Sequence, residues 1–308
     1  TTRPARSRPL AAPPANTDSA VPTLKLSLGG RQLDLSTPVV MGVLNVTPDS
    51  FYDGSTLGSQ ADERFHVSLD KTLARAERMV SEGAGILDVG GESTRPGALP
   101  VSAEEELERV IPVIEALCKK LDTPVSVDTS SPVVMAAACR AGAAMVNDIR
   151  ALTREGALEA AAATGAAICL MHTRGEPGTM QQDIHYTDVV MEVLKFLKDR
   201  VQKSLSAGIE RERLVLDPGF GFGKTVEHNY RLLRELRRFT EPGLPVLIGV
   251  SRKSMIGAVT GRPVDQRLPG TLAATSWALS NGASIIRTHD VAATMDVIKV
   301  HTALVAGA

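Results

Sequence analysis

Eight short apolar runs, each followed by a helix-like stretch, organise residues 38–305 of this chain. The runs are 39–45, 85–90, 124–128, 144–148, 166–172, 214–217, 246–250 and 284–289. They are rich in β-branched residues and lack the polar/apolar alternation of a half-exposed strand. Such runs mark strands buried on both faces, as in a parallel sheet covered by helices. Eight strand–helix units in this length predict an α/β fold, a (β/α)8 TIM barrel. The rival, a doubly wound open sheet, usually carries G-x-G-x-x-G after a strand, and no strand here is followed by it. One barrel over residues 23–308 leaves no room for a second catalytic domain.

A small hairpin precedes the barrel. Leu24-Lys25-Leu26-Ser27-Leu28 and Leu33-Asp34-Leu35 flank Gly29-Gly30, and alternation around a Gly-Gly turn is a hairpin signal. Residues 1–22 are rich in Pro, Ala, Ser and Arg without periodicity, and are expected to be disordered. Arg3, Arg6 and Arg8 lack the apolar segment of a secretory signal.

Among the helices, Ser102-Ala103-Glu104-Glu105 reads as a capping box. Leu107, Val110, Ile111, Ile114, Leu117 and Leu121 follow at helical spacing, with Pro112 expected to kink or split the helix. Residues 187–207 and 291–305 read as further helices.

The charge balance excludes some functions. With 34 basic and 35 acidic residues the formal net charge is −1, against broad attraction to nucleic acid or an anionic membrane. Aromatic residues are only 3%, which leaves little for stacking single-stranded bases. No apolar run approaches the ~20 residues of a membrane span. Cys118, Cys139 and Cys169 are sparse and unclustered, as expected of a reducing compartment.

Polar residues collect at the carboxyl ends of the strands, where a barrel does its chemistry. Strand by strand these are Asn45, Asp88, Asp128, Asn147-Asp148, Asp217, Ser251-Arg252-Lys253-Ser254 and Arg287-Thr288-His289-Asp290. One such Asp could simply cap a helix. Seven of eight strands carrying charge or amide at one end is costly without a ligand, because each buried group needs a partner. Alternation makes Arg287 and His289 point together. The loops after strands seven and eight are the usual phosphate site of the fold, and Lys253 and Ser254 add a cation and helix N-terminal amides. Asp88, Asp128, Asn147 and Asp217 form an acceptor group suited either to a flat heterocycle with N–H donors or to a divalent metal. Alternation lets only one of Asn147 and Asp148 face inward and does not choose between them. The long loops after strands one and two read as mobile flaps.

Some apparent motifs fail. Gly223-Lys224-Thr225 resembles the end of a P-loop, but the required first Gly is Pro218. The repeated Gly-Phe instead lets backbone approach a planar ligand. The histidines form no metal-binding pattern. His172 reads equally as a site residue or a hydrogen-bonded interior histidine. His66, His185, His228 and His301 read as solvated.

The stretches Met41 to Phe51, Asp88 to Gly97 and Asp217 to Lys224 resemble the dihydropteroate synthase family of pterin-binding enzymes. So do Asn147-Asp148-Ile149, Ser251-Arg252-Lys253 and Arg287-Thr288-His289-Asp290. The resemblance spans residues ~38–305 in order. It implies an alkyl- or aryl-group transferase that joins 6-hydroxymethyl-7,8-dihydropterin diphosphate to 4-aminobenzoate, giving 7,8-dihydropteroate and diphosphate. Carried over by position, Asp128, Asn147, Asp217 and Lys253 would bind the pterin, with Asp88 also in the pocket. Asn45, Thr94, Arg287 and His289 would hold the diphosphate, Asn45 as the Mg2+ ligand. Thr94, Arg95, Pro96, Phe222 and Ser254, with Lys253, would surround 4-aminobenzoate. Asp217, Lys253, Arg287 and His289 would carry the catalysis. The family also implies a cytoplasmic homodimer. Two departures, Tyr52 in the first flap and the Met171–Gln181 loop, touch no residue assigned to chemistry. A methyltransferase-type pterin barrel should lack the Ser93-Thr94-Arg95-Pro96 flap and the Arg-x-His pair. A non-catalytic paralogue would have lost Asn45, Arg287 or Lys253. This chain keeps all of them.

Overall fold

Gly29 and Gly30 both take positive φ, 55° and 91°. Two such residues in succession suit a two-residue hairpin turn. They join β1 (Lys25–Leu28) to β2 (Arg31–Asp34) in an antiparallel pair. The computed structural model describes residues 24–47, 57–61, 64–93, 101–176 and 178–306. The expected disordered segment 1–22 lies outside them, as do the flap residues Tyr52, Thr94, Arg95 and Pro96.

After the hairpin come β3 (Val39–Asn45), a small antiparallel pair β4 (Gly58–Ala61) and β5 (Arg64–Val67), and α1 (Leu69–Ser81). The chain continues through β6 (Ala84–Gly90), α2 (Ala103–Lys120), β7 (Val125–Asp128), α3 (Pro132–Arg140), β8 (Met145–Asp148) and α4 (Ala157–Ala163). Then follow β9 (Ala167–Met171), α5 (Val189–Ser206), β10 (Leu214–Asp217) and α6 (Val226–Arg234). The last elements are β11 (Leu247–Ile248), α7 (Ser254–Thr260), α8 (Leu268–Ser280), β12 (Ile285–Thr288) and α9 (Val291–Ala306).

Eight parallel strands lie in the order β10-β9-β8-β7-β6-β3-β12-β11. A bridge from Leu216 to Val246 brings the two ends together, so the sheet is a nearly closed (β/α)8 barrel. Strand seven is only two residues long, shorter than the 246–250 run. Pro245 precedes it and has no N–H to donate, so the contact to β10 runs through its carbonyl, which accepts from Leu216 N at 2.9 Å.

Period-two alternation divides the core in two. Val40, Leu87, Val127, Val146, Ile168 and Leu216 point outward and pack under the helices. Met41, Ile86, Met145, Cys169, Val215 and Ile285 point inward, where Leu26 and Leu28 of the hairpin join them. Arg31 bonds Asp122, three residues before β7 starts, at 2.7 Å. The hairpin therefore plugs the amino end of the barrel, leaving the carboxyl end for chemistry.

Pro112 does not split α2, which runs unbroken from Ala103 to Lys120 with Ser102 accepting from Glu105 N at 3.2 Å. Pro112 is exposed while Val110, Val113, Ile114 and Leu117 are buried, so its missing donor falls where water can substitute. No helix among the described residues is long and apolar enough to cross a membrane.

Candidate active site

Inward-facing positions at the carboxyl ends of β6, β7, β8, β10 and β12 bring together Asp88, Asp128, Asn147, Asp217 and Arg287. Arg287 binds two carboxylates at once. Its Nε donates to Asp88 Oδ2 at 2.6 Å and its Nη2 to Asp128 Oδ2 at 2.7 Å. Asn147 Nδ2 also donates to Asp88 Oδ2, at 3.1 Å. Asp88 is fully buried, whereas the Arg287 side chain keeps 22% of its surface exposed. The acidic group and the cation that the sequence treats separately thus form one network. Two of its acceptors, Asp88 Oδ1 and Asn147 Oδ1, are buried without a hydrogen-bond partner among the described residues. Unpaired buried acceptors favour a ligand carrying N–H donors.

Asn147 is the inward member of its pair. Asp148 turns outward and accepts from Ser130 Oγ, Arg150 N and Leu152 N. Its carboxylate thereby supports a turn in which Ala151 and Leu152 both take positive φ.

Burial shapes the charges. It pushes the Asp128 carboxyl up to about 7, against the pull of Arg287. Burial also raises Asp217, opposed by its bond from Gly219 N and by Lys253, Lys224 and Arg287. Lys253 is brought down to about 8 by burial, with Asp217 resisting. Burial opposes the Arg287 charge too, but Asp88 and Asp128 outweigh it and keep the guanidinium protonated.

The loop after β10 wraps one side of this network. Gly219, Gly221 and Gly223 all take positive φ. A Cβ on Gly219 would collide with the His172 carbonyl and one on Gly223 with that of Arg174, so this loop lies backbone against backbone on the loop after β9. Gly219 N donates to Asp217 Oδ1 at 2.7 Å. Lys253, the N-cap of α7, donates from Nζ to Phe220 O and stands 4.8 Å from the Phe222 ring. Ser254 is the first residue of α7. Just beyond β12, His289 Nδ1 and Ser251 Oγ lie 3.1 Å apart. Asn45, at the end of β3, has its Oδ1 beside the bare Cα of Gly90, where the Asp128 side chain also converges.

The organising roles of two residues named from sequence were not read there. Arg252 takes a positive φ of 52°, held by a bidentate pair with Asp290 (2.8 Å each) and a bond from its N to Thr271 Oγ1. The flanking Ser251 and Lys253 are thereby aimed at the mouth. Lys224, set aside as a failed P-loop, is buried on His172 Nδ1 at 2.9 Å. His172 is the hydrogen-bonded interior histidine of the two readings. His228 is half-buried rather than solvated, closing a capping box with Thr225.

Residues 41–289 match the family described as pterin binding enzyme. The dihydropteroate synthase of Haemophilus influenzae is 51% identical over 277 residues, covering 90% of this chain and 98% of that protein. A solved structure of the Yersinia pestis dihydropteroate synthase, in complex with a sulfonamide drug, superposes with TM-score 0.86 at 46% identity. It covers 92% of this chain and 99% of the other. The Xanthomonas albilineans dihydropteroate synthase with 4-aminobenzoic acid gives TM-score 0.83 at 48% identity, over 92% and 99% of the two chains.

Proposed function

We infer that this chain, which belongs to the pterin-binding enzyme family and within it to the dihydropteroate synthases, is a transferase that condenses 6-hydroxymethyl-7,8-dihydropterin diphosphate with 4-aminobenzoate, releasing diphosphate. The observation that carries the site assignment is the buried acceptor group with two unpaired oxygens, Asp88 Oδ1 and Asn147 Oδ1, beside Lys253 and Arg287. In this reading Asp128, Asn147 and Asp217 accept from the N–H groups of the pterin, with Asp88 behind them, and Lys253 donates to it. Asp217 lies against the ring and stabilises positive charge as it spreads there. Arg287, the partly exposed member, meets the diphosphate while still holding its carboxylates, and His289 joins it from the end of β12. Charge growing on the leaving group is thereby met by groups already in place. The flap residues Thr94, Arg95 and Pro96, with Phe222 and Ser254, would flank 4-aminobenzoate. The arylamine is a nucleophile at neutral pH, so positioning replaces a general base.

The family implies Mg2+. Among the described residues no three His, Cys, Asp or Glu side chains cluster to hold a metal. Magnesium usually takes one or two protein oxygens, completing its shell with water and substrate phosphates. The Asn45 amide oxygen at the mouth fits that pattern and would hold the ion beside the diphosphate. Bound there, the ion supplies positive charge that neutralises the departing anion. The same reading makes the protein cytoplasmic, which its three free thiols support, and homodimeric.

Diphosphate release tests the reaction. Release should match dihydropteroate formation one for one, require 4-aminobenzoate for steady turnover, and stop on chelation of Mg2+. Release that is indifferent to the amine would overturn the assignment.

A further inference from the structure

Lys224 is 3% exposed and bonds no carboxylate among the described residues, an expensive place for an ammonium. Its Nζ lies 2.8 Å from Gly219 O, 3.0 Å from Phe222 O, 3.2 Å from His172 O and 2.9 Å from His172 Nδ1. Four acceptors around one nitrogen call for all three N–H donors of an ammonium, one of them shared between His172 O and His172 Nδ1, where the neutral amine has only two. With the ammonium donating, His172 Nδ1 accepts, and the ring is the neutral tautomer with its proton on Nε2. Burial, aided by Lys224, pushes His172 well below its ordinary value, in keeping with a neutral ring. Phe196 packs edge-on against that ring at 5.0 Å.

All four acceptors belong to the loops after β9 and β10. The second of these loops carries Asp217 at its start and the Phe220 carbonyl that seats Lys253. We propose that Lys224 is a positioning residue for the transferase reaction: it rivets the two loops together, fixes Asp217 and the seat of Lys253, and places a second internal cation near the Asp217 carboxylate. This rests on the reading of Asp217 and Lys253 as pterin-contacting residues. The charged groups facing Asp217 are Lys224 on its own loop, Lys253 at the start of α7 and Arg287 on β12. Burial pushes the Lys224 ammonium well below its ordinary value, with Lys253 and Arg174 adding to the push and Asp217 opposing it, so the carbonyl acceptors around Nζ are what hold the charge in place.

The test compares Lys224→Met, similar in length but without charge or donors, with Asp217→Asn. Both are assayed for each substrate across pH, with the folded fraction measured by circular dichroism. Lys224→Met should lower kcat/KM for the pterin diphosphate by about tenfold or more, ~1.4 kcal/mol. It should raise KM for 4-aminobenzoate by a smaller factor, through the Phe222 carbonyl that Lys224 also holds. It should also steepen and raise the acid limb of kcat/KM, because Asp217, having lost a facing cation, protonates at higher pH and adds to the protonation of Asp128. A Lys224→Met enzyme that melts earlier but keeps its kcat/KM and its acid limb overturns the proposal. If Asp217→Asn keeps wild-type rates, the underlying reading of the site fails instead. Should Lys224→Met not fold, nitrogen NMR of His172 in the intact enzyme decides: an unprotonated Nδ1 supports the ammonium rivet, and a protonated Nδ1 overturns it.

Discussion

Asp128 and Lys253 are both pushed toward neutrality by burial, from opposite sides of pH 7. The Asp128 carboxyl rises to about 7 through burial and the nearby acids Asp88, Glu106 and Asp148, with Arg287 pulling it down. The Lys253 ammonium falls to about 8 through burial and Arg287, with Asp217 and Asp128 holding it up. As pH falls through the Asp128 value, the carboxylate gains a proton and loses acceptor capacity for pterin N–H groups. As pH rises through the Lys253 value, the charge that Phe222 and Phe220 O help hold is lost. We therefore predict a bell-shaped kcat/KM for the pterin substrate, with limbs near about 7 and about 8, since that quantity reports free-enzyme ionisations. The ligand-free stability should run the other way on the acid side. Asp128 has a folded value above its unfolded one, so the native state holds more protons between about 4 and about 7, and stability falls as pH rises through that range. Glu106 has its own value near 7, caused by burial, and shares that stability slope. Glu106→Gln should flatten the slope and, by removing one of the acids that raise Asp128, move the kinetic acid limb to lower pH. A kcat/KM profile flat across both limbs would remove Asp128 and Lys253 from the binding step.

At the scale of elements, the β1–β2 hairpin contributes to the core without touching the chemistry. Leu26 is fully buried at the amino end among Met41, Met145 and Ile285, with the barrel's length between it and Asp217. Leu26→Ala should cost about 2–5 kcal/mol, the lost transfer energy plus the cavity left behind. Urea unfolding would read this as a lower midpoint, while kcat/KM in the absence of urea stays near wild type. A cost under about 1 kcal/mol would mean that the hairpin closes nothing. The hairpin was legible in sequence because Gly29-Gly30 and the leucine alternation are local signals, whereas its place as the plug of the barrel was not. The barrel strands were legible for a similar reason, since burial on both faces leaves unbroken apolar runs. The pair β4–β5 was not, because Gly58-Ser59-Gln60-Ala61 offers no β-branched or aromatic residue to mark a strand. In the site, Asp88, Asp128 and Arg287 could be found because strand ends concentrate function in this fold. The choice of Asn147 over Asp148 required knowing which way β8 faces. The roles of Lys224 and Arg252 stayed hidden because their partners lie 52 and 38 residues away and meet them only through folded loops.

Among the described residues, three neighbouring helices carry apolar side chains that the fold does not cover. On α8, Trp277 donates its Nε1 to Leu233 O at 3.1 Å yet stays 52% exposed, so the indole packs edge-in with its body toward solvent. On the adjoining α9, Val300, Leu304 and Val305 are exposed, Leu304 to 77%. The charged residues of that helix, Asp296 and Lys299, lie 3.6 Å apart and offset each other. On α7, packed on the other side of α8, Val259 is 64% exposed. Three neighbouring barrel helices thus turn apolar side chains outward, and a patch of that kind usually meets a partner. The homodimer proposed above would seat a second copy of the chain there. The exposed residues of α9 sit at the end of the helix away from Asp290, Leu304 about 20 Å along the axis from Val291, so an interface there lies apart from the site. Sedimentation at micromolar concentration should give about twice the chain mass. Leu304→Asp combined with Val300→Asp should give single chains, because a buried unpaired carboxylate costs several kcal/mol at an interface. Those single chains should keep kcat/KM near that of the wild type, because the substituted residues lie at the far end of α9 from the site. Wild-type chains that sediment singly at about 100 μM, well above the concentrations at which stable dimers of standard interface size dissociate, would rule out the pairing.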